Sequence, residues 1–326
     1  MQVIKEYIAE KKENLKFELL NRNLEMVIVQ VGHVPASDRY VKNKIKDAEE
    51  VGIKCELINL PEDILEADLL CQLEVLNYRK DVDGYLVQLP LPKHISEEKV
   101  KLAIAPEKDI DGFHPLSKTV PATPLGIYNY LKDMNYEFQG KNAVVIGRSN
   151  IVGKPMAQLL LKESMNVIVL HSKTREEDKK FYLEHADLIV VATGHMHTLT
   201  AEYSLKSTAV VFDVGINVKE DGKLAGDCDK DLPVAFQSPV PGGVGLLTRI
   251  AVIDNLIELA KNKTDFKVLV EYKDYLPDGW TWDKLEKLAE EKAVPLTREN
   301  LAKIVDPKYL DMTEEDFIKY LEKQQK

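Results

Sequence analysis

Short apolar runs alternate with amphipathic stretches in the first third of the chain. Three runs, residues 26–31, 55–60 and 84–88, have the length and the Val, Ile and Leu content of buried strands. Between them, residues 37–51 and 62–78 repeat apolar positions at the spacing of amphipathic helices. This β-α-β-α-β order predicts a parallel sheet covered by helices.

A second alternation follows a predicted helix at residues 125–133. Its strand segments consist almost entirely of Val, Ile, Leu and Ala, which is the composition of strands covered on both faces. The predicted strands are 143–146, 167–170, 188–192 and 209–214, and the predicted helices between them are 154–163 and 176–185. We expect this half to bind a nucleotide, and one further helix is predicted at 247–260.

The length and the charge limit the classes of protein to consider. A chain of 326 residues favours two domains, because single cores stop growing at about 250–300 residues. The 54 acidic and 44 basic residues give a formal net charge of −10, which argues against nucleic acid or an anionic membrane as the main partner. No apolar run reaches about 18 residues, and residues 1–25 lack the apolar core of a signal peptide.

The Cys and His residues do not predict a metal site. Cys55, Cys71 and Cys228 are scattered, which fits reduced thiols in the cytoplasm better than a zinc site or a disulfide framework. His195 and His197 could be two ligands, but the sequence places no third ligand beside them. A loop on the nucleotide side is the favoured interpretation of this pair.

A glycine turn, Gly147 to Gly153, lies between a predicted strand and a predicted helix. Backbone N–H groups at such a position can hold the pyrophosphate of a dinucleotide, although the Gly-x5-Gly spacing also fits a plain tight turn. The next strand ends in His171, Ser172, Lys173 and Thr174, without the carboxylate that binds the ribose of NAD. Arg148 could contact a 2′-phosphate, so NADP is favoured over NAD; the alternative is that Arg148 and Lys173 are surface charges.

Four polar side chains in the first half are candidates for substrate chemistry. Tyr40 and Lys44 are one helical turn apart, so an aromatic ring would lie near an amine, although an exposed Tyr-Lys pair has the same spacing. Gln88 ends a buried strand, where ligand sites form in α/β proteins. Asp111 lies in a Gly-Pro turn, where its carboxylate could accept two N–H bonds from an amino-pyrimidine-like edge or could simply stabilise the turn.

Nine motifs along residues 1–262 occur in the order of one known family. They are Pro35-Ala36-Ser37 with Tyr40-x-x-x-Lys44, Val87-Gln88-Leu89-Pro90-Leu91-Pro92, Asp109-Ile110-Asp111-Gly112-Phe113-His114-Pro115, Thr123-Pro124-x-Gly126, Val145-Ile146-Gly147-Arg148-Ser149, His171-Ser172-Lys173-Thr174, Asp213-Val214-Gly215-Ile216-Asn217, Gly226-Asp227, and Pro239 to Gly245. The chain thus resembles the bifunctional methylenetetrahydrofolate dehydrogenase/methenyltetrahydrofolate cyclohydrolase family. The resemblance implies NADP-dependent oxidation of 5,10-methylenetetrahydrofolate and hydrolysis of the methenyl product to 10-formyltetrahydrofolate.

The resemblance also implies roles for individual residues. Lys44 would be the cyclohydrolase acid/base, Tyr40 the stacking ring, Gln88 the partner that tunes Lys44, and Asp111 the pterin anchor. Substrate would also contact Pro241, Gly242 and Gly243. The positions that match the family's cofactor site are Gly147, Arg148, Ser149, His171, Ser172, Thr193, Gly194, Gly215 and Ile216.

The expected architecture is two parallel-sheet α/β domains with a cleft between them and a mainly helical C-terminal extension. We expect a folate-binding catalytic domain at 1–122, a Rossmann-type NADP-binding domain at 123–245, a helix returning to the catalytic domain at 246–263, and an extension of unknown role at 264–326. The resemblance further implies a cytoplasmic homodimer that supplies one-carbon units for purine biosynthesis.

Some positions depart from the family pattern. The link at 116–121 is about nine residues shorter than the family's, and Ala122 and Leu246 replace a usual Cys and a usual Pro. These changes lie near the expected folate pocket. Two alternatives therefore stay open: a dehydrogenase with weak or absent cyclohydrolase activity, and a non-catalytic NADP-binding scaffold.

Overall fold

The first sheet is parallel and has the strand order β2-β1-β3. In this computed structural model the described residues are 2–20 and 22–268, with side chains described up to Lys261 except that of Ala36. The strands are β1 (Glu25–Val31), β2 (Lys54–Leu60) and β3 (Gly84–Val87). β1 lies in the centre and is buried along almost its whole length, whereas the edge strand β2 alternates between exposed and partly buried positions. A central strand covered on both faces needs the continuous apolar run that the sequence shows.

Four helices accompany the first sheet: α1 (Ile4–Leu19), α2 (Pro35–Glu50), α3 (Glu66–Tyr78) and α4 (Glu97–Ala103). The sequence patterns predicted α2 and α3, but they placed the start of α3 four residues too early. Residues 61–65 form a turn that begins with Pro61, and the helix starts after it. The patterns did not predict α1 or α4.

The second sheet is also parallel, in the order β10-β7-β6-β4-β5. It consists of β4 (Asn142–Ile146), β5 (Asn166–Leu170), β6 (Leu188–Val191), β7 (Val210–Asp213) and β10 (Phe236–Gln237). The strand order reverses at β4, which lies between β5 and β6, and ligands of α/β proteins bind at the carboxyl ends of strands around such a point. The prediction of two parallel α/β sheets is confirmed.

Three helices and a hairpin complete this half. They are α5 (Ala122–Asp133), α6 (Gly153–Lys162), α7 (Glu176–Glu184) and the antiparallel pair β8 (Asn217–Val218) and β9 (Leu224–Ala225). The hairpin and β10 are too short to give a sequence signal.

The long helix α8 (Val244–Val268) returns to the first sheet. Asn255 donates from Nδ2 to the carbonyl oxygens of Ile110 and Val120, both at 2.9 Å. Residues Met1–Leu259 form one compact unit. Residues 264–268 of the predicted extension continue α8, and residues 269–326 lie outside the described part of the chain. None of the described helices combines the length and the apolar character needed to cross a bilayer.

Candidate active site

Two predicted catalytic side chains share one face of α2. Gly32, at φ +70°, follows β1, and Pro35 is the first residue of the helix, where an N–H would have no partner within the helix. Tyr40 and Lys44 then lie one turn apart, and the Lys44 Nζ is 5.3 Å from the centroid of the Tyr40 ring. The structure brings this predicted pair together in a cation–π contact.

Lys44 is buried against Asp111, which belongs to the loop between α4 and α5. The distance from Nζ to Oδ2 is 3.8 Å, and the two residues are 5% and 7% exposed. Burial lowers the pKa of Lys44, and the nearby Asp111 carboxylate opposes that shift. Burial raises the pKa of Asp111, and Lys44 opposes it. Because its pKa is lowered, Lys44 loses its proton at a lower pH than an exposed lysine, as a general base near neutral pH requires.

A second buried carboxylate, Asp109, fixes the turn that carries Asp111. Its oxygens accept the backbone N–H groups of Gly112 and His114 at 2.9 and 2.7 Å. Gly112 has φ +71°, and a Cβ there would lie 2.5 Å from the carbonyl carbon of Val120. Burial raises the pKa of Asp109 to about 6. Asp109 therefore builds the turn, which leaves the Asp111 side chain available for other contacts.

Two hydroxyl side chains form hydrogen bonds in the short link between the His114-Pro115 turn and α5. The Ser117 Oγ and Thr119 Oγ1 are 2.7 Å apart, and the Thr119 Oγ1 donates to the carbonyl oxygen of Asp109 at 2.6 Å. The link borders a cavity of about 690 Å³ whose opposite wall is α6 and the turn before it. The shortened link thus shapes the surface next to the Asp111 turn, while the contact between Lys44 and Asp111 is present.

Gln88 follows β3 directly. Its backbone N–H donates to the carbonyl oxygen of Val29 at 2.8 Å, and its Nε2 donates to the carbonyl oxygen of Leu89 at 2.7 Å. Its Oε1 is buried and has no hydrogen-bond partner in the described part of the chain. A buried free acceptor suits a ligand N–H or an ammonium group. That Gln88 tunes Lys44 stays a prediction.

Backbone geometry shapes the loop that precedes α8. The Val240–Pro241 peptide is cis, and Gly242 has φ +96°. A Cβ at Gly243 would lie 2.3 Å from the carbonyl oxygen of Pro239. The loop therefore needs its glycines for its own conformation. Its contact with folate stays a prediction.

The glycine turn after β4 leaves no room for side chains. Gly147 has φ +127°, and a Cβ there would lie 2.3 Å from the carbonyl oxygen of Ala192. A Cβ at Gly153 would lie 2.2 Å from the carbonyl oxygen of Gly147. The Ser149 Oγ accepts the N–H groups of Val152 and Gly153 at 3.2 and 3.4 Å, which holds the turn at the start of α6. Such a turn lets a phosphate approach the backbone and the helix N-terminus.

The end of β5 lies beside this turn in the sheet. The Thr174 Oγ1 accepts the N–H of His171 at 3.0 Å, and the His171 Nδ1 accepts the N–H of Lys173 at 3.2 Å. Arg148 and Ser172 are exposed. Residues 171–174 contain hydroxyl and cationic groups and no carboxylate. This surface suits a 2′-phosphate better than a free ribose hydroxyl.

A fully buried carboxylate, Asp227, links the other predicted cofactor loops. Its Oδ2 accepts the N–H and the hydroxyl of Thr193 at 2.7 and 2.9 Å and the N–H of Gly194 at 2.8 Å. Its Oδ1 accepts the Nδ2 of Asn217 at 2.9 Å. A Cβ at Gly215 would lie 2.0 Å from the same Oδ1. Asp227 thus fixes the loops after β6 and β7.

Asp213, at the end of β7, fixes the loop that contains Asp227 through hydrogen bonds to its carboxylate. Its carboxylate accepts the N–H groups of Gly215, Asp227 and Cys228 at 3.0, 2.9 and 2.9 Å. Burial raises the pKa of Asp213, and these N–H bonds oppose the shift. The sequence alone does not predict a role for Asp213 or Asp227, although both lie in family motifs. Their only signal is that Asp213 stands two residues before Gly215 and Asp227 directly follows Gly226.

The predicted residues form two groups. Tyr40, Lys44 and Asp111 are in contact on the first sheet, and Gln88 ends a strand of the same sheet. The predicted cofactor positions cluster at the carboxyl ends of β4 to β7, where Ile216 is 62% exposed beside Gly215. The described residues contain no group of three or more His, Cys, Asp or Glu that could hold a metal ion.

Comparisons with known proteins agree with this division. Residues 1–111 match the family model described as tetrahydrofolate dehydrogenase/cyclohydrolase, catalytic domain. Residues 121–264 match the model for the NAD(P)-binding domain of the same family. The bifunctional protein FolD of Bacillus cereus is 48% identical over 248 residues, which are 72% of this chain and 86% of that protein.

Solved structures of similar proteins belong to the same family. The bifunctional enzyme FolD of Campylobacter jejuni has a TM-score of 0.75 and 39% identity, and the match covers 80% of this chain and 98% of that one. The Trypanosoma brucei methylenetetrahydrofolate dehydrogenase-cyclohydrolase, solved with NADP and an inhibitor, has a TM-score of 0.71 and 30% identity over 80% of this chain and 94% of that one. On the extent and identity of these matches, the chain belongs to the tetrahydrofolate dehydrogenase/cyclohydrolase family.

Proposed function

We propose that the protein oxidises 5,10-methylenetetrahydrofolate to the methenyl form with NADP and hydrolyses that product to 10-formyltetrahydrofolate. Family membership supports both activities, since relatives such as the Campylobacter enzyme are named for them. The observation that carries the proposal is the buried contact between Lys44 and Asp111 beside the Tyr40 ring. An amine of lowered pKa next to an aromatic face suits the hydrolysis of a flat cationic substrate.

The residues of the second sheet fit NADP. The turn from Gly147 to Gly153 is a cradle that a single Cβ would fill, and its N–H groups lie at the start of α6. We propose that this turn, with Ser149, holds the pyrophosphate and that Arg148 contacts the 2′-phosphate. When bound, NADP accepts the hydride from the folate. The other proposed cofactor positions are His171, Ser172, Thr193, Gly194, Gly215 and Ile216.

Lys44 is proposed to act first as a base and then as an acid. Its neutral amine takes a proton from water while the water oxygen bonds to the methenyl carbon. The ammonium then gives this proton to the ring nitrogen as the bond between that nitrogen and the carbon breaks. The remaining water proton leaves for solvent as the formyl C=O forms, so Lys44 ends neutral and one proton is released.

The neighbours of Lys44 are proposed to hold the substrate. Asp111 would accept N–H groups of the pterin, which favour its ionised form despite burial. Tyr40 would stack on the ligand, and Gln88 would offer its free Oε1. Pro241, Gly242 and Gly243 would flank the folate with backbone. In this proposal residues 1–122 bind folate, residues 123–245 bind NADP, and residues 246–263 return to the folate domain.

Mixing the purified full chain with NADP and methylenetetrahydrofolate tests the proposal. We expect NADPH, a transient methenyl signal and 10-formyltetrahydrofolate, because the turn from Gly147 to Gly153 fits NADP and the buried Lys44 amine fits the hydrolysis step. A methenyl signal that builds up without decay would favour the alternative of a dehydrogenase with weak cyclohydrolase activity, for which the shortened link at 116–121 is the supporting observation. Absence of NADPH formation with bound NADP would leave only the scaffold alternative.

We also propose that the protein is a cytoplasmic homodimer that serves purine biosynthesis. The support is the family resemblance, together with a net charge of −10 that disfavours nucleic acid and anionic membranes as partners. Light scattering of the full chain measures the oligomeric state, and a monomer at micromolar concentration would contradict the homodimer.

A further inference from the structure

An ion-pair network lies on α2 one turn beyond Lys44. Asp47 is 5% exposed, and both of its carboxylate oxygens are occupied. Its Oδ1 lies 2.6 Å from the Nζ of Lys12 on α1, and its Oδ2 lies 2.5 Å from the Nε of Arg249 on α8. The side chains of Lys12 and Arg249 are 11% and 15% exposed, so the network is largely shielded from water.

The helical period places this network beside the proposed catalytic amine. Tyr40, Lys44 and Asp47 stand at positions i, i+4 and i+7 of α2, which share one face. Lys44 and Asp47 are three residues apart and therefore neighbours on this face, so the Arg249 guanidinium that Asp47 holds lies against the face of α2 that carries Lys44. Because the pair is largely shielded from bulk water, the guanidinium charge is only weakly screened and acts on Lys44.

We propose that Asp47 and Arg249 are a positioning pair for Lys44, in which Asp47 fixes the guanidinium against α2 and its permanent positive charge disfavours protonation of the Lys44 amine. This inference rests on the acid–base role proposed for Lys44. It adds a function for two residues that do not touch the substrate in the proposed reaction. Arginine suits this role because it stays charged at every working pH.

Burial and the charged or titratable groups around Lys44 shift its pKa in both directions. Burial lowers the pKa of Lys44 most, and Arg249 lowers it further, whereas Asp111 and the Cys55 thiol raise it. The same guanidinium also lowers the pKa of Tyr40, against a larger rise from burial. The groups that face Lys44 or belong to the network around Asp47 are Tyr40, Asp47 and Glu50 on α2, Lys12 on α1, Cys55 on β2, Asp111 on the loop between α4 and α5, and Arg249 on α8.

The competing account is that the network only ties helices together. Asp47 joins α1, α2 and α8, and its two partners stand 35 residues before it and 202 residues after it in the chain. A purely structural tie would change stability when cut, but it would leave the protonation of Lys44 as before. A direct measurement of the Lys44 pKa therefore separates the two accounts.

The test is an NMR titration of full-length protein labelled with ¹³C at the lysine Cε. The Lys44 signal is assigned by its loss in Lys44→Met. In Arg249→Gln we expect the Lys44 pKa to rise by about one pH unit, because a neighbouring positive charge is removed. In Arg249→Lys the charge is kept, so we expect a change below about 0.3 unit.

A matched control removes a paired arginine elsewhere. Arg175 lies 2.7 Å from Asp178 on α7, so Arg175→Gln changes the net charge equally and should leave the Lys44 titration unchanged. An unchanged Lys44 pKa in Arg249→Gln, or an equal rise in Arg249→Lys, would overturn the positioning role. If Arg249→Gln folds poorly, Arg249→Met gives a second neutral variant that keeps the apolar stem.

The titration needs no turnover, so it is independent of the proposed function. If the wild type hydrolyses methenyltetrahydrofolate, the alkaline shift should also appear in the pH profile of hydrolysis by Arg249→Gln. A wild type without hydrolysis would contradict the proposed function while leaving the NMR result to decide the positioning pair.

Discussion

Replacement of Asp227 by Asn tests whether a buried carboxylate holds the loops proposed to bind NADP. The carboxylate accepts four hydrogen bonds, three on Oδ2 and one on Oδ1. An Asn side chain has one oxygen and one NH₂ group. If its oxygen faces Thr193 and Gly194, its NH₂ faces the NH₂ of Asn217. Asn217 cannot simply turn over, because its NH₂ also donates to the carbonyl oxygen of Gly226 at 3.0 Å.

The size of the effect follows from this count. Three bonds lose their charge assistance and one becomes a donor-to-donor contact. At about 1.5–3 kcal/mol for a bond to a charged group, partly kept as neutral bonds, the expected loss of folding free energy is about 3–5 kcal/mol. Displacement of the Thr193–Gly194 loop should weaken NADP binding by about 10- to 100-fold.

Chemical unfolding measures the stability, and fluorescence titration measures the affinity for NADP. Asp187→Asn is the matched control, because Asp187 accepts the N–H of Asn142 at 2.8 Å at the opposite end of the same sheet. We expect this control to lose stability and to keep its affinity for NADP. Unchanged NADP affinity in a folded Asp227→Asn variant would refute the reasoning, as would an equal loss of affinity in Asp187→Asn.

Three further changes test other parts of the structure. Arg148→Ala should weaken NADP binding by about 30-fold and NAD binding by less than about threefold, because only NADP has the 2′-phosphate; an equal loss in two calorimetric titrations would contradict that contact. Gly226→Ala should destabilise the fold by at least about 2 kcal/mol, since its Cβ would lie 1.9 Å from the Asp213 Oδ2; thermal unfolding near the wild-type temperature would argue against this packing. Burial raises the pKa of Asp109 from 3.8 to about 6, so this group adds up to about 3 kcal/mol to the free energy of unfolding when it is protonated. This contribution is complete below the pKa of Asp109 in the unfolded chain and is lost as the pH rises through 6. The stability difference between wild type and Asp109→Asn, measured from pH 3 to 7, should fall along this window, and a flat difference would rule out the shift.

The apolar runs predicted the long strands because burial on both faces leaves little room for polar residues. β1 and β4 show this most clearly, since each lies between two other strands. The pattern of apolar positions did not predict helix α1, because charged residues interrupt its buried residues. These are Ile4, Tyr7, Ile8, Leu15 and Leu19. Only the packing of α1 against the rest of the protein shows that this face is buried and not exposed to solvent.

The candidate site divides in the same way. Tyr40 and Lys44 could be paired from sequence because a helix brings residues four apart together. The contact between Lys44 and Asp111 could not be predicted from the sequence, because it joins α2 to the loop between α4 and α5. Asp47 and Arg249 are 202 residues apart, and no local pattern indicates that they meet.

The dependence of the two reactions on Lys44 tests the central claim most directly. In Lys44→Met, the rates of NADPH formation and of methenyltetrahydrofolate decay are measured on the same preparation. We expect hydrolysis to fall by about 10²- to 10⁴-fold, because the acid–base group is gone, and hydride transfer to keep at least about a tenth of its rate, because it needs alignment only. An equal loss of both rates in a folded protein, or hydrolysis at the wild-type rate, would contradict the account.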